Sequence, residues 1–165
     1  MKNLLKIFLI GILISACDGG IQPGMEEPGF SGTIYFIGEW PDSVKRTHIV
    51  LFKEPLLDTS DFSAENLQYV SNEIPYGVRE YKYTTLNNSL FGVIKPGEYG
   101  YLAVAQSTLE TISLKREDWT IAGLYYNPGD STKPGRLIIP ENTFLRNINI
   151  VCDFNHPPVQ PPGGK

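Results

Sequence analysis

Cysteine is nearly absent from this chain: Cys17 and Cys152 are the only two among 165 residues. A zinc centre built on cysteine pairs therefore has no ligands, and at most one disulfide is available. Histidine is as scarce. His48 and His156 stand far apart, so no pair has metal-ligand spacing. His156 falls in a proline-rich stretch with nothing rigid to position it as a catalytic base. His48 shares a strand face with Val50 and Phe52, where a buried, hydrogen-bonded imidazole is expected. No Gly-x-Ser-x-Gly motif supplies a positioned nucleophile, and Gly97, Gly100 and Gly123 open no helix that would cradle a phosphate. Basic residues are outnumbered, 14 Lys and Arg against 18 Asp and Glu. That balance argues against nucleic acid, whose affinity rests on neutralising phosphates, and against a polybasic membrane-surface site. No apolar run reaches the roughly 20 residues of a spanning helix. No cofactor is expected, and the chain reads as a non-enzyme.

The N-terminus holds a graded leader. Lys2 and Lys6 give a basic start, Ile7 to Ile14 a short apolar core, and Ser15-Ala16 a small-residue cleavage site. These are the parts of a secretory signal peptide. The closing Ile14-Ser15-Ala16-Cys17 resembles the lipobox of bacterial lipoproteins. The resemblance implies that residues 1–16 are removed and that Cys17 becomes the acylated first residue. Its partner would be a membrane, held through lipid, and its location the bacterial cell envelope, with the choice of membrane left open. Several acyl chains, at about 0.8 kcal/mol per buried CH₂, suffice for stable anchoring. Losing two lysines with the leader would move the net charge from −4 to −6. A Cys17 consumed by lipid also leaves Cys152 without an intrachain partner.

Residues 17–29, rich in Gly, Pro and Glu, read as the lipidated cysteine and a flexible tether with a typical span of about 20 Å. Residues 155–165, "NHPPVQPPGGK", read as an extended, disordered tail. The folded body then covers 30–154. Within it strand signals recur: 32–38, 47–53, 67–74, 78–86, 90–94, 98–106, 120–126, 136–140 and 146–154, each bounded by Gly, Pro or Asn. In 78–86 alternation places Tyr81, Tyr83 and Thr85 on the inward face. In the last strand it does the same for Ile148, Ile150, Cys152 and Phe154. No long helix is expected, although 107–118 leaves room for a helical turn. Seven to nine short strands with this punctuation predict an all-β fold, an antiparallel Greek-key β-sandwich. The Pro96-Gly97 turn followed by Tyr99, Tyr101 and Ala103 on an alternating strand resembles the transthyretin-like, carboxypeptidase-regulatory-like sandwich domains. That resemblance implies a non-catalytic binding or accessory role and transfers no functional residues. The polar segment 54–77 departs from the compact version of the domain and is either a binding loop or an ordered insertion.

Candidate site residues are few. Cys152, on an inward face, is expected to act as a small apolar residue. Asp58 and Asp61 in "DTSD", with Glu117 and Asp118, offer oxygens but lack the regular spacing of a calcium loop. They are read as loop charges, with an unusual carboxylate enzyme as the distant rival. The aromatics remain: Trp40, Trp119, Tyr125 and Tyr126 sit at strand ends, where exposed rings would stack on sugars or bind a peptide; the rival reading is that these large rings fill the sandwich, with Tyr hydroxyls at its edges. The reading is a lipid-anchored envelope protein with a non-catalytic binding or structural sandwich. A carbohydrate-binding accessory domain using those four rings is the alternative. The partner would be an envelope protein or a glycan.

Overall fold

The computed structural model describes residues 25 to 164. The leader, Cys17 and most of the expected tether lie outside the described residues. Eleven strands run in chain order: β1 Gly29–Ile37, β2 Arg46–Phe52, β3 Leu67–Ser71, β4 Glu80–Thr84, β5 Ser89–Phe91, β6 Gly97–Tyr99, β7 Tyr101–Ser107, β8 Trp119–Leu124, β9 Leu137–Ile139, β10 Phe144–Leu145 and β11 Ile150–Asp153. Two single 3-10 turns, Thr59–Asp61 and Arg116–Asp118, interrupt the connections. The chain is all-β, as its composition predicts.

One long sheet carries nine strands in the order β10-β1-β11-β8-β7-β2-β3-β5, with β4 on the other side of β1, and β6-β9 form a second, small sheet. The architecture is sandwich-like but not purely antiparallel. β1 runs parallel to β11, with Ile34 opposite Ile150 and Phe36 opposite Cys152, and parallel to β10 through Phe30 and Leu145. The first strand thus pairs in parallel with the last, which a hairpin connection cannot produce. The centre is the β2–β7 ladder, seven antiparallel pairs from Arg46–Ser107 to Phe52–Tyr101.

β2 shows why its sequence is apolar without a break. Every residue from Thr47 to Phe52 is buried. Ile49 and Leu51 face an inner core shared with Phe30, Ile34, Tyr69, Leu102, Val104, Ile150 and Cys152. Val50 and Phe52 face an outer layer with Ala103, Ala105, Trp119 and Ile121. A strand covered on both faces loses its polar alternation. β4, at the sheet margin, keeps it: Tyr83 and Thr85 are buried while Glu80, Lys82 and Thr84 are exposed. In β11, Ile150 and Cys152 point inward as expected, and Cys152 is fully buried with a free thiol. Burial pushes that thiol far above its ordinary acidity range. The strand read over 98–106 is two strands. Gly100 leaves the ladder and its N–H donates to the Lys53 carbonyl at 2.8 Å, so β6 turns away to pair with β9.

The C-terminal stretch differs from the disordered tail expected over 155–165. β8 meets β11 only at Leu124–Val151, leaving its upstream edge open. Gln160 fills that edge with its side-chain amide. Nε2 donates to the Ile121 carbonyl at 2.8 Å, and Oε1 accepts from the Ile121 N–H at 2.7 Å. One amide reproduces the two hydrogen bonds of a neighbouring strand, and Pro161 beside it is buried. Composition alone misses this, because side-chain hydrogen bonds rather than an apolar face hold the segment: Gln160 bonds Ile121, and Arg116 Nη2 donates to the Pro161 carbonyl at 3.1 Å.

Candidate functional site

The outer layer is incompletely covered. β2, β3, β7 and β8 present Val50, Val70, Ala105 and Ile121 as a floor. Segment 54–77 covers one side and segment 108–118 the other, and between them remains a pocket of about 410 Å³. That volume lies within the range of small-molecule sites, about 300–1,000 Å³.

Each wall follows from local sequence. On one side, a 3-10 turn is locked by a reciprocal cap. Asp58 Oδ1 accepts from Ser60 N at 3.0 Å, and Asp61 Oδ2 accepts from Asp58 N at 2.7 Å and Leu57 N at 2.8 Å. The Ser60 N–H, with the Ser60 and Thr59 hydroxyls, holds the Asp58 carboxyl below the usual carboxylate range. The turn sets Phe62 and Ala64 into the pocket wall. Phe62 packs 5.6 Å from the Phe52 ring centre. On the opposite side Ser113 Oγ donates to Asp118 Oδ2 at 2.5 Å, and Trp119 Nε1 donates to the Ser113 carbonyl at 2.8 Å. That bracing sets Ile112 and Leu114 at the mouth. Leu90 and Phe91 of β5 complete the rim.

Four large apolar side chains are wet at this rim: Leu114 is 68 % exposed, Leu90 53 %, Phe91 50 % and Ile112 46 %. Among the described residues that line it, the hydroxyl side chains are those of Ser63 and Ser113, and no carboxylate, lysine or histidine is present. The arrangement offers a largely hydrocarbon surface to a bound molecule.

The residues singled out from sequence are placed as follows. Trp119 is buried and part of the pocket floor, which overturns its reading as an exposed sugar platform; its indole N–H is already used by Ser113. Trp40 is half-buried, packs on Phe36, Tyr76 and Phe154, and donates to the Val78 carbonyl at 2.9 Å. Tyr125 and Tyr126 are both half-buried. Tyr125 packs on the inner core and Tyr126 on the outer layer, the opposite faces that adjacent strand residues must take. The four rings are thus divided between two layers. Asp58 and Asp61 belong to the turn described above, and Asp118 to the next one. Among the described residues no group of three His, Cys, Asp or Glu is placed to hold a metal ion. Segment 54–77 is ordered and builds one pocket wall.

His48 lies in the floor layer behind Trp119, ring centres 6.1 Å apart and edge-on. Nδ1 is 2.9 Å from the Ser71 carbonyl, which can only accept, so Nδ1 carries the proton. Nε2 is buried without a partner. Protonating it would create a buried N–H with no acceptor, and desolvation accordingly lowers the His48 pKa below its ordinary 6.5. The unfolded chain takes up that proton more readily than the folded one. Stability is therefore full above about pH 6.5 and is lost as pH falls through the lowered folded value. Urea unfolding at pH 7.5 and pH 5 should show a lower midpoint at pH 5 for the natural chain. In His48→Asn, whose Nδ2 can keep the Ser71 bond, that loss should shrink. Equal losses in both would show that His48 is not the source. The carboxylates whose pKa values are lowered titrate in a more acidic window and leave this one clear.

Compared with protein-family models, with curated proteins and with solved structures, the chain matches none.

Proposed function

We propose that the chain is a lipid-anchored cell-envelope protein whose transthyretin-like β domain is a binding module, and that the outer-layer pocket is its binding site for an apolar ligand. The anchoring rests on the leader and its junction at Cys17. The binding rests on one observation: an apolar pocket of about 410 Å³ whose rim keeps four large hydrocarbon side chains in water. Exposed apolar surface gathered in one concave place marks a binding site more often than scattered surface residues do. Covering the rim side chains, which are already about half buried, would contribute roughly 1–1.5 kcal/mol each.

The test uses the full chain expressed in a bacterium with an alkyne-labelled fatty acid. The natural chain should carry the label and partition with membranes, and Cys17→Ser should carry none. An unlabelled natural chain would end the anchoring claim. Purified from that culture, the protein should bind an environment-sensitive apolar dye. Leu114→Asp and Leu90→Asp, both at exposed positions, should each weaken binding about tenfold, since 1.4 kcal/mol is a factor of ten. Unchanged dye affinity in both variants would end the assignment of the pocket.

A further inference from the structure

Apolar exposure is concentrated in two short segments. Among the described residues fourteen large apolar side chains are exposed, and six of them, Leu90, Phe91, Val93, Leu109, Ile112 and Leu114, fall within residues 90–93 and 109–114. Those ten residues contain one charged side chain, Glu110. Leu90, Phe91, Ile112 and Leu114 form the rim of the outer-layer pocket, so both segments border its mouth. The other exposed apolar group is different. Tyr35 and Val151 are register partners on β1 and β11, but Glu80 of β4 stands opposite Tyr35, and Asp153 stands opposite Ile37. Charge interleaved in this way suits water. A charge-poor rim around an apolar pocket suits hydrocarbon.

The rim also lies near the start of the folded chain. Phe30, at the head of β1, exchanges hydrogen bonds with Thr85. Its N–H donates to Thr85 Oγ1 at 2.9 Å, and the Thr85 N–H donates to its carbonyl at 2.9 Å. Leu90 is five residues beyond Thr85, hence at most about 18 Å away at full extension. The tether expected over 17–29 spans about 20 Å. A bilayer holding the lipid on Cys17 is therefore within reach of the rim. A short flexible tether makes a weak apolar contact act as if its partner stood at about millimolar concentration. Among the described residues no lysine or arginine lines the pocket, and the chain as a whole is negative. Anionic head groups find no counter-charge at the mouth, so the contact is with hydrocarbon.

We propose that the rim rests on the bilayer that holds the anchor, and that the pocket takes one acyl chain of a bilayer phospholipid. This names the apolar ligand of the anchored, apolar-binding reading and rests on that reading. A volume of about 410 Å³, near the lower end of small-molecule sites, suits one chain rather than two. The second chain and the head group stay in the membrane, because the mouth opens at its surface. No lipid has to leave the bilayer completely for the pocket to fill.

Trp119 reports the event, since it lies in the pocket floor, whereas Trp40, the other tryptophan, packs on the inner core. The acylated full chain is reconstituted on phosphatidylcholine vesicles whose lipids carry bromine along their acyl chains. Bromine quenches an indole only at near contact. Trp40→Phe, which leaves Trp119 alone, should lose about half of its emission relative to vesicles without bromine. Trp119→Phe, which leaves Trp40 alone, should lose almost none. Both keep an aromatic ring, and a thermal melt checks that they fold. If Trp40→Phe does not, the difference between the natural chain and Trp119→Phe gives the same quantity. Adding Leu90→Asp and Leu114→Asp together should restore the emission, while flotation through the lipid on Cys17 is unchanged. Substituting phosphatidylglycerol or raising the salt should alter nothing, because no charge is recognised. Unquenched Trp119 in a chain that floats with the vesicles would overturn the proposal, whether the rim faces water or an acyl chain carried on Cys17 fills the pocket. Binding of the apolar dye by the same protein would then leave the pocket standing. Quenching that survives the two aspartates, or that grows with phosphatidylglycerol and fades with salt, would also overturn it. A natural chain that does not float overturns it together with the anchor. Loss of both dye binding and quenching would remove the pocket reading itself.

Discussion

Gly32→Ala is expected to cost about 3 kcal/mol and to lower the melting temperature by roughly 10 °C. A Cβ at this position would lie 2.0 Å from the Ile148 carbonyl oxygen and 2.5 Å from its carbon, both backbone atoms. The link between β10 and β11 passes over β1 at this point. Asn147 takes a left-handed φ of 63°, and Ile148 N–H donates to the Ser31 carbonyl at 3.0 Å. The Ile148 carbonyl then dips against Gly32 and accepts the buried Tyr83 hydroxyl at 2.6 Å. A methyl group must push this link away. That strains the parallel pairing on both sides and leaves the Tyr83 hydroxyl without its acceptor. Gly77→Ala is the matching control. Gly77 has a φ of +83° but nothing within 4 Å of a Cβ, so it isolates the conformational penalty, about 1 kcal/mol. Thermal melts of the two variants separate steric from conformational cost. A Gly32→Ala melt within about 2 °C of the natural chain would show that the link is free to move and does not close the sheet.

Alternation and punctuation carry a large part of this fold in the sequence. β2 reads as a central strand because both faces are apolar, and it is central. Tyr81, Tyr83 and Thr85, with Ile150 and Cys152, fall on the faces that a two-residue period assigns. Pairing partners are different. Nothing local in "GTIYFI" says that its neighbour is "IVCDF" running parallel, more than a hundred residues later. That contact is an edge-to-edge ladder between segments brought together by the fold, which no window of sequence contains. Phe144 and Leu145 escape notice as β10 for a related reason: two residues are too few to show a period.

The pocket was less legible than the fold. Trp119 was noticed for the wrong property, since its ring is a floor and not a platform. Phe62, Ile112 and Leu114 lie in segments that read as turns or polar connections, where an isolated apolar residue is ordinary surface, and the strand signal over 90–94 does not say which face of Leu90 and Phe91 meets the pocket. Only folding shows that they converge on one rim. Segment 54–77 did hold a usable signal. The cap formed by Asp58 and Asp61 is written in "DTSD", and an ordered turn carries its flanking Phe62 to a fixed place. Arg116 gave no signal, because "KRED" has the composition of a solvated loop, and its burial depends on Trp119, Phe62 and the docked Pro161.

Phe30→Ala should destabilise the domain by about 3–5 kcal/mol, a large share of the 5–15 kcal/mol typical of a whole domain. The sequence places Phe30 at the border between tether and body, two residues before the strand signal begins. In the structure its side chain is fully buried. Its ring meets Tyr83 edge-on at 6.0 Å. Its N–H donates to Thr85 Oγ1 at 2.9 Å, and its carbonyl accepts from Thr85 N at 2.9 Å and Oγ1 at 3.1 Å. On the other side it stands opposite Leu145. Phe30 thus fills the corner where β1 joins β4 and β10, and truncating it leaves a cavity that three backbone segments fixed by hydrogen bonds cannot readily close. Phe30→Leu, which keeps most of the volume, should cost roughly 1–1.5 kcal/mol. Urea unfolding should give a lower midpoint for both with an unchanged slope. A loss under about 0.5 kcal/mol for the alanine variant, the size expected of a surface position, would assign Phe30 to the tether instead and move the start of the folded body to Gly32. A loss of the expected size fixes that start at Gly29, the residue where the parallel pairing with Phe144 begins.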